Sequence, residues 1–229
     1  KMGVMLTAIE DNGESVSATL FNMTTKEQTT EDFDLVFGCD GINSTVRNLI
    51  FGKSCEINTK VTYVTFGVPC NDKNENLWKD LNSSFGYFTL SCGAHYFISR
   101  IGEKQISFCG WFLNPNNRNL TSDNVKQVLL DAYKNNWKAE ELINSVENPS
   151  TFYIHNYTNI KLKQWYKNRI ILVGDAAYGF GCDGDRSKTL TVLGPSTLSP
   201  LIIAFAMNKV TLEEACKNYQ QSLEGKTNA

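Results

Sequence analysis

An α/β (α+β) architecture is expected, with an antiparallel sheet inserted between two halves of an α/β domain. Short apolar strands, each leading through a turn into a helix start, lie at 31–47 and again at 168–178. Between them, roughly residues 60 to 113 are rich in aromatic and β-branched side chains punctuated by glycine, which favours antiparallel strands. The 229 residues are 41% apolar and 20% charged, enough to bury a core and too apolar for a disordered chain.

Residues 2–9 read as a strand, Asp11-Asn12-Gly13-Glu14 as a turn, and Val16 to Met23 as a second strand. Alternating apolar residues around an Asn-Gly step favour such a hairpin. Glu31 to Gly38, with Phe33, Leu35, Val36 and Phe37, reads as one nearly continuous apolar strand, buried on both faces. Val61 to Val68, Phe85 to Leu90, Ala94 to Ile101 and Gln105 to Phe112 read as the antiparallel strands, the last two joined at Gly102-Glu103. Thr121-Ser122-Asp123 offers caps for an amphipathic helix carrying Val125, Val128, Leu129, Ala132 and Tyr133. A second helix is expected around Ala139 to Val146. Asn168 to Val173 is a further buried-type strand, and Thr211 to Leu223 a terminal helix capped by Thr211. Pro195 and Pro200 are expected to interrupt the helix before it, since an interior proline costs ~3 kcal/mol.

A net charge of -2 lacks the basic footprint of a nucleic-acid binder. Leu201 to Met207 is the longest apolar run, short of the ~18 residues that cross a bilayer, so no transmembrane segment is expected. Lys1 to Ala8 lacks the apolar stretch of a signal peptide, which points to the cytoplasm. Seven scattered cysteines without a CxxC pair read as reduced thiols, and two histidines are too few for a His-based metal site. Phe51-Gly52-Lys53-Ser54 imitates the end of a P-loop, but the required first glycine falls on Arg47. No G-x-S-x-G nucleophile elbow occurs.

Two segments carry candidate chemistry. Asp34 to Arg47 is a strand, a turn at Asp40-Gly41 and a helix start. Gly41 permits close approach of backbone to a ligand. The plainer reading is an ordinary strand–turn–helix capped by Asn43 or Ser44. Arg169 to Tyr178 ends a strand in Gly174-Asp175 followed by two alanines. The small residues leave room for a ligand chain, and Asp175 can accept hydrogen bonds from sugar-type hydroxyls. The plainer reading here is an Asp-capped helix.

In this order, and across an antiparallel insert, the two segments resemble the single-component FAD-dependent monooxygenases. These are the aromatic hydroxylases related to para-hydroxybenzoate hydroxylase and to the tetracycline-inactivating enzymes. That family's D-G-x-x-S-x-V-R is matched at Asp40, Gly41, Ser44, Val46 and Arg47. Its R-x-x-L-x-G-D-A-A-H/Y is matched at Arg169, Leu172, Gly174, Asp175, Ala176, Ala177 and Tyr178, with Trp165 upstream also in pattern.

The resemblance implies a partial FAD-binding Rossmann-like domain over 1–58 and 160–229, and an inserted antiparallel-sheet substrate domain over 59–159. It implies that Asp175, with Gly174 and Ala176, holds the ribityl hydroxyls of FAD. It places Asp40, Gly41 and Arg47 on the cofactor side, toward the NAD(P)H path. It implies that the inserted sheet covers the isoalloxazine and forms a pocket, for which Phe85, Tyr87, Tyr96, Phe97 and Trp111 are candidates; plain sheet core is the competing reading for each. NAD(P)H (NADPH or NADH) would reduce the flavin, and O2 would give a hydroperoxyflavin that hydroxylates an aromatic or polycyclic small molecule.

The family's opening G-x-G-x-x-G unit is expected upstream of Lys1 and is not in this sequence. Gly179 to Gly184 spells the same motif, but it does not follow the strand directly and no acidic residue lies near 20 positions on. Asp183 to Lys188 stands where the family has a glycine pair opening a helix toward the flavin, and its carboxylates would repel a reduced ring. The alternative is therefore a non-catalytic, flavoprotein-like fragment that does not bind FAD.

Overall fold

The Asn-Gly step closes the first hairpin. In this computed structural model, which describes residues 2–52, 56–72, 74–81, 85–90, 93–102, 104–116, 118–180 and 184–227, β1 (Val4–Asp11) pairs antiparallel with β2 (Val16–Asn22). The Asp11 carboxylate accepts the Gly13 N–H at 2.8 Å and pins the turn. β3 (Gln28–Phe33) adds to β2, completing a three-stranded meander.

The single strand expected over 31–38 is two strands. β3 ends at Phe33, and β4 (Val36–Gly38) belongs to another sheet. The break has a physical cause in Arg169. Its side chain donates to the carbonyls of Asp34 at 3.0 Å and Gly13 at 2.7 Å, and its backbone N–H donates to the Asp11 carboxylate at 3.1 Å. Phe33 and Phe37 are both exposed, so the segment is not buried on both faces. α1 (Thr45–Phe51) follows β4.

The chain divides into two compact units, 1–57 with 158–229, and 58–157. β5 (Glu56–Pro69) leads into the second. There α2 (Glu75–Asp80), β6 (Phe85–Thr89), β7 (His95–Ile101), β8 (Gln105–Leu113), α3 (Val125–Ala132), α4 (Trp137–Ser145) and β9 (Tyr153–Ile160) follow. The sheet order is β6-β7-β8-β5-β9. Strict alternation along β8 sends Ile106, Phe108 and Phe112 into a core with Tyr96, Ile98, Leu129, Tyr133, Leu142 and Ile143. Period-two side chains put every second residue on the helix-covered face.

Helix α3 starts later than the cap candidates 121–123. Asn124 stands at its N-cap, its side-chain oxygen accepting the Thr121 N–H at 2.9 Å, so residues 121–124 form a turn. Asn136 caps α4 by accepting from Ala139 N–H at 3.3 Å. Gly102 takes φ 59° at the β7–β8 turn, while Glu103 lies outside the described residues.

Back in the first unit come β10 (Tyr166–Lys167), β11 (Ile170–Leu172), α5 (Asp175–Tyr178), α6 (Gly184–Ala206) and α7 (Leu212–Thr227). β11 pairs antiparallel with β10 and parallel with β4, giving the order β10-β11-β4. The core gathers Ile171, Leu172, Trp165, Tyr178, Leu190, Leu198, Cys216, Tyr219 and Leu223. α7 is tied to it by Gln220, which accepts from Trp165 N–H at 3.0 Å and donates to Lys163 O at 2.9 Å. Thr211 caps α7 reciprocally with Glu214: the Thr211 hydroxyl accepts the Glu214 N–H at 3.2 Å, and the Glu214 carboxylate accepts the Thr211 N–H at 2.8 Å.

One expectation for α6 fails. The helix runs unbroken through Pro195 and Pro200. Both prolines lie on its exposed side, as do Thr191 and Ser196, four residues before each. The carbonyls freed by the missing N–H groups are thus within reach of water, which lowers the cost. Among the described residues, Lys188–Ala206 is also long and apolar enough to cross a membrane, with a mean hydropathy of 1.5. Ser, Thr, Gly and Pro interrupt its apolar run, so a search for unbroken apolar stretches passes over it. In this fold the helix gives Leu190 and Leu198 to the core.

Candidate functional site

Both motifs end at the same edge of one sheet. β4 and β11 run parallel with Val36 opposite Ile170 and Gly38 opposite Leu172. Their carboxyl ends therefore deliver Asp40-Gly41 and Gly174-Asp175 to the same side, where open α/β sheets place ligands. Gly38 leaves room for the side chains packed over it: a Cβ there would meet the Leu172 side chain at 2.7 Å and that of Val46, on α1, at 3.0 Å.

Asp40 is committed to α1. One carboxylate oxygen accepts the Ser44 hydroxyl at 2.5 Å; the other accepts the N–H groups of Thr45 at 2.6 Å and Val46 at 3.1 Å. Ser44 is the N-cap residue, accepting Arg47 N–H at 2.9 Å. The capping role considered for Ser44 is thus shared with Asp40. Asp40 organises the turn, and its carboxylate is occupied by the helix. Gly41 at φ 78° has nothing within 4 Å of a would-be Cβ, so it serves the turn conformation and not close packing.

Arg47 is fully buried. Its guanidinium donates to Ile42 O at 2.6 Å and to Ala176 O at 3.2 Å. It is a bracket between the two motifs, which sequence spacing could not reveal because the contact joins residues 129 positions apart. It lies beneath the site and not at its surface.

Gly174 takes φ 65° and ψ -142°, a conformation open to glycine and strained for other residues. Its carbonyl accepts Ala177 N–H at 2.9 Å and Tyr178 N–H at 3.1 Å, starting the short α5. Asp175 follows, half-buried, while Ala176 and Ala177 are fully buried. A carboxylate presented at a strand end after a positive-φ glycine is a suitable acceptor for vicinal hydroxyls, so the residues present fit the sugar-alcohol part of a flavin nucleotide. Tyr178 packs against Trp165 at 4.6 Å between ring centroids, and burial raises its phenol pKa. Beside the site an apolar hollow of about 310 Å³ is lined by Phe37, Cys39, Val173, Leu198, Ile202 and Ile203. Burial, then the Asp40 charge, raises the Cys39 thiol pKa.

Of the G-x-G-x-x-G stretch, Gly179, Phe180 and Gly184 are described. Gly179 is needed for packing, since a Cβ there would collide with Ile42, and 181–183 lie outside the described residues. From Gly184 the chain is already helix α6. The expectation about the charges of Asp183 to Lys188 rests on residue 183 and on the side chains of Asp185 and Arg186, which lie outside those described; of its charged side chains only that of Lys188 is described, and it is exposed.

In the second unit the face of the sheet opposite α3 and α4 is aromatic. Tyr87 meets Phe97 at 4.7 Å, Phe97 meets Trp111 at 5.2 Å, Trp111 meets Tyr63 at 5.4 Å, and Tyr63 stacks on Tyr157 at 6.0 Å. Three of the pocket candidates, Tyr87, Phe97 and Trp111, therefore share one surface. Tyr96 does not: it points to the other face, is fully buried, and its hydroxyl donates to Asn136 Oδ1 at 2.5 Å. It is a core residue, as strand alternation between positions 96 and 97 requires. The side chain of Phe85 lies outside the described ones. Tyr63, Tyr157 and His95 share this face and were not among the candidates; the period-two spacing Tyr63-x-Thr65, His95-x-Phe97 and Cys109-x-Trp111 held the signal. Burial, with the Cys109 contact, pushes the Tyr63 phenol up to about 12.

The chain belongs to the FAD binding domain family, whose sequence model matches residues 1–180. A flavin-dependent monooxygenase from an unknown prokaryotic organism is 28% identical over 179 residues, covering 74% of this chain and 42% of the relative. Among solved structures, the tetracycline destructase Tet(55) superposes with a TM-score of 0.74 at 20% identity, covering 96% of this chain and 55% of its own. HpxO of Klebsiella pneumoniae, complexed with FAD and uric acid, gives a TM-score of 0.68 at 15% identity, covering 95% and 52%. The chain thus spans about half the length of the relatives it matches.

Proposed function

We propose that this chain is the flavin- and substrate-holding part of an FAD-dependent monooxygenase that uses NAD(P)H and O2 to hydroxylate an aromatic or polycyclic small molecule. The observation that carries the reading is the Gly174-Asp175 turn at the end of β11, locked to the Asp40 turn through Arg47. The family supports the cofactor. The ring-shaped substrate is supported by the aromatic face of the second unit. The uric acid complex of HpxO, which has the same fold, is consistent with a flat, ring-shaped ligand. The free thiols Cys39, Cys70, Cys109 and Cys216 fit a reducing cytoplasm.

Bound FAD would supply O2 activation and transfer of one oxygen atom, the other leaving as water. The chain's own residues bind and position. Asp175 accepts from the cofactor's hydroxyls, Arg47 and Asp40 keep that carboxylate in place, and Tyr87, Phe97 and Trp111 hold the substrate ring.

FAD titrated into the purified chain tests this. Quenching of flavin fluorescence by the chain, weakened about tenfold or more by Asp175→Ala, is expected from the loss of charge-assisted hydrogen bonds. A chain that leaves flavin fluorescence unchanged is the non-binding alternative. Equal affinity in the variant removes Asp175 from the site.

A further inference from the structure

We propose that His95 reads an oxygen atom at the edge of the substrate, so that the aromatic face selects flat molecules carrying a carbonyl or phenolate-type acceptor. This rests on the reading of that face as the substrate surface.

His95 lies on β7 opposite Thr89 of β6 and Trp111 of β8. Its Nδ1 is 3.1 Å from the Tyr87 hydroxyl and 3.1 Å from the Thr89 hydroxyl. A phenol is a better donor than acceptor, so we take the tautomer in which Tyr87 donates and Nδ1 accepts, the donor and acceptor roles at Nδ1 being set by the tautomer. The ring proton is then on Nε2, because the bond made by one imidazole nitrogen sets the tautomer of the other. The Tyr87 and His95 rings lie nearly parallel, 8° apart, which keeps the imidazole in the plane of the stack.

Other polar groups of this face are engaged with each other. Trp111 Nε1–H donates to the Tyr157 hydroxyl at 3.1 Å, and the Thr65 hydroxyl lies 3.1 Å from Cys109 Sγ. His95 Nε2–H makes no hydrogen bond among the described residues. A flat ligand laid on Phe97 and Trp111 would cover that donor. With an acceptor at its edge the ligand satisfies it; without one it buries an unmatched N–H, which is how a polar group in an apolar site produces discrimination.

The test uses two soluble tricyclic probes of nearly the same outline, anthraquinone-2-sulfonate with two ring carbonyls and anthracene-2-sulfonate with none. Affinities for the full chain are measured by titration calorimetry. Wild type is expected to prefer the quinone about three- to tenfold, the effect of one hydrogen bond. His95→Phe keeps a ring in the stack and should abolish the preference by weakening quinone binding alone. His95→Gln, which retains a donor amide, should restore part of it. Phe97→Ala should weaken both probes together. A preference that survives His95→Phe, equal loss of both probes in that variant, or no preference in wild type overturns the role of His95 and leaves the aromatic face standing. Binding of neither probe by wild type, or indifference of both to Phe97→Ala, overturns the face itself and His95 with it.

Discussion

Asp40 holds α1 by three accepted hydrogen bonds, and replacing it separates that role from direct contact with a cofactor. Asp40→Ala removes the acceptor of the Ser44 hydroxyl and of the Thr45 and Val46 N–H groups. Loss of such a cap costs about 2 kcal/mol at the upper end of the measured range. α1 has only seven residues and no acidic residue in its first turn, so nothing within it replaces the carboxylate. For a chain of this size, 2 kcal/mol lowers Tm by roughly 4–8 °C. Asp40→Asn keeps one oxygen for the two backbone N–H groups and can donate to Ser44, so it should lose only the charge–helix interaction, about 0.5–1 kcal/mol. Thermal unfolding followed by circular dichroism measures both. The Ala variant should also weaken FAD binding, since α1 carries Arg47 and through it Ala176. An Ala variant with wild-type Tm would refute the capping account. An Asn variant as damaged as the Ala variant would show that the charge, and not the hydrogen bonds, matters.

Gly174→Ala should destabilise by about 1–3 kcal/mol, because φ 65° with ψ -142° is a conformation that a Cβ opposes; urea unfolding measures it, and a neutral substitution would contradict the backbone geometry. Gly110→Ala should be at least as harmful, since a Cβ there collides with the Tyr133 hydroxyl in a packed core; an unchanged midpoint would show that Tyr133 moves aside freely. The Cys216 thiol, pushed up to about 12 by burial and then by Glu213, should resist alkylation at pH 8 until the protein unfolds. Its pKa is raised on folding, so its contribution to stability is complete below about pH 9 and is lost as pH rises toward 12. Cys216→Ala should flatten that alkaline decline, and an unaltered pH profile would remove Cys216 as its source.

Local patterning carried far in the second unit. Alternating apolar residues marked β5 to β8, because a strand with one face on a core must repeat every two residues. The two motif segments were also legible, since turn glycines and strand-ending aspartates are short-range features. The break between β3 and β4 was not. It depends on Arg169, more than 130 residues away, binding the Asp34 carbonyl. Nor was the division of the aromatic residues legible without register: Tyr96 and Phe97 are neighbours in the chain and lie on opposite faces of the sheet.

Composition and short-range spacing thus established the α/β character, the antiparallel insert and the two turns, because propensity, capping and period-two burial act within a few residues. The roles of Arg47 and Asp40, the unbroken α6 and the aromatic face around His95 came from the folded arrangement. Each depends on groups far apart in the chain, or on which side of a helix meets water, and a linear sequence does not specify such distances.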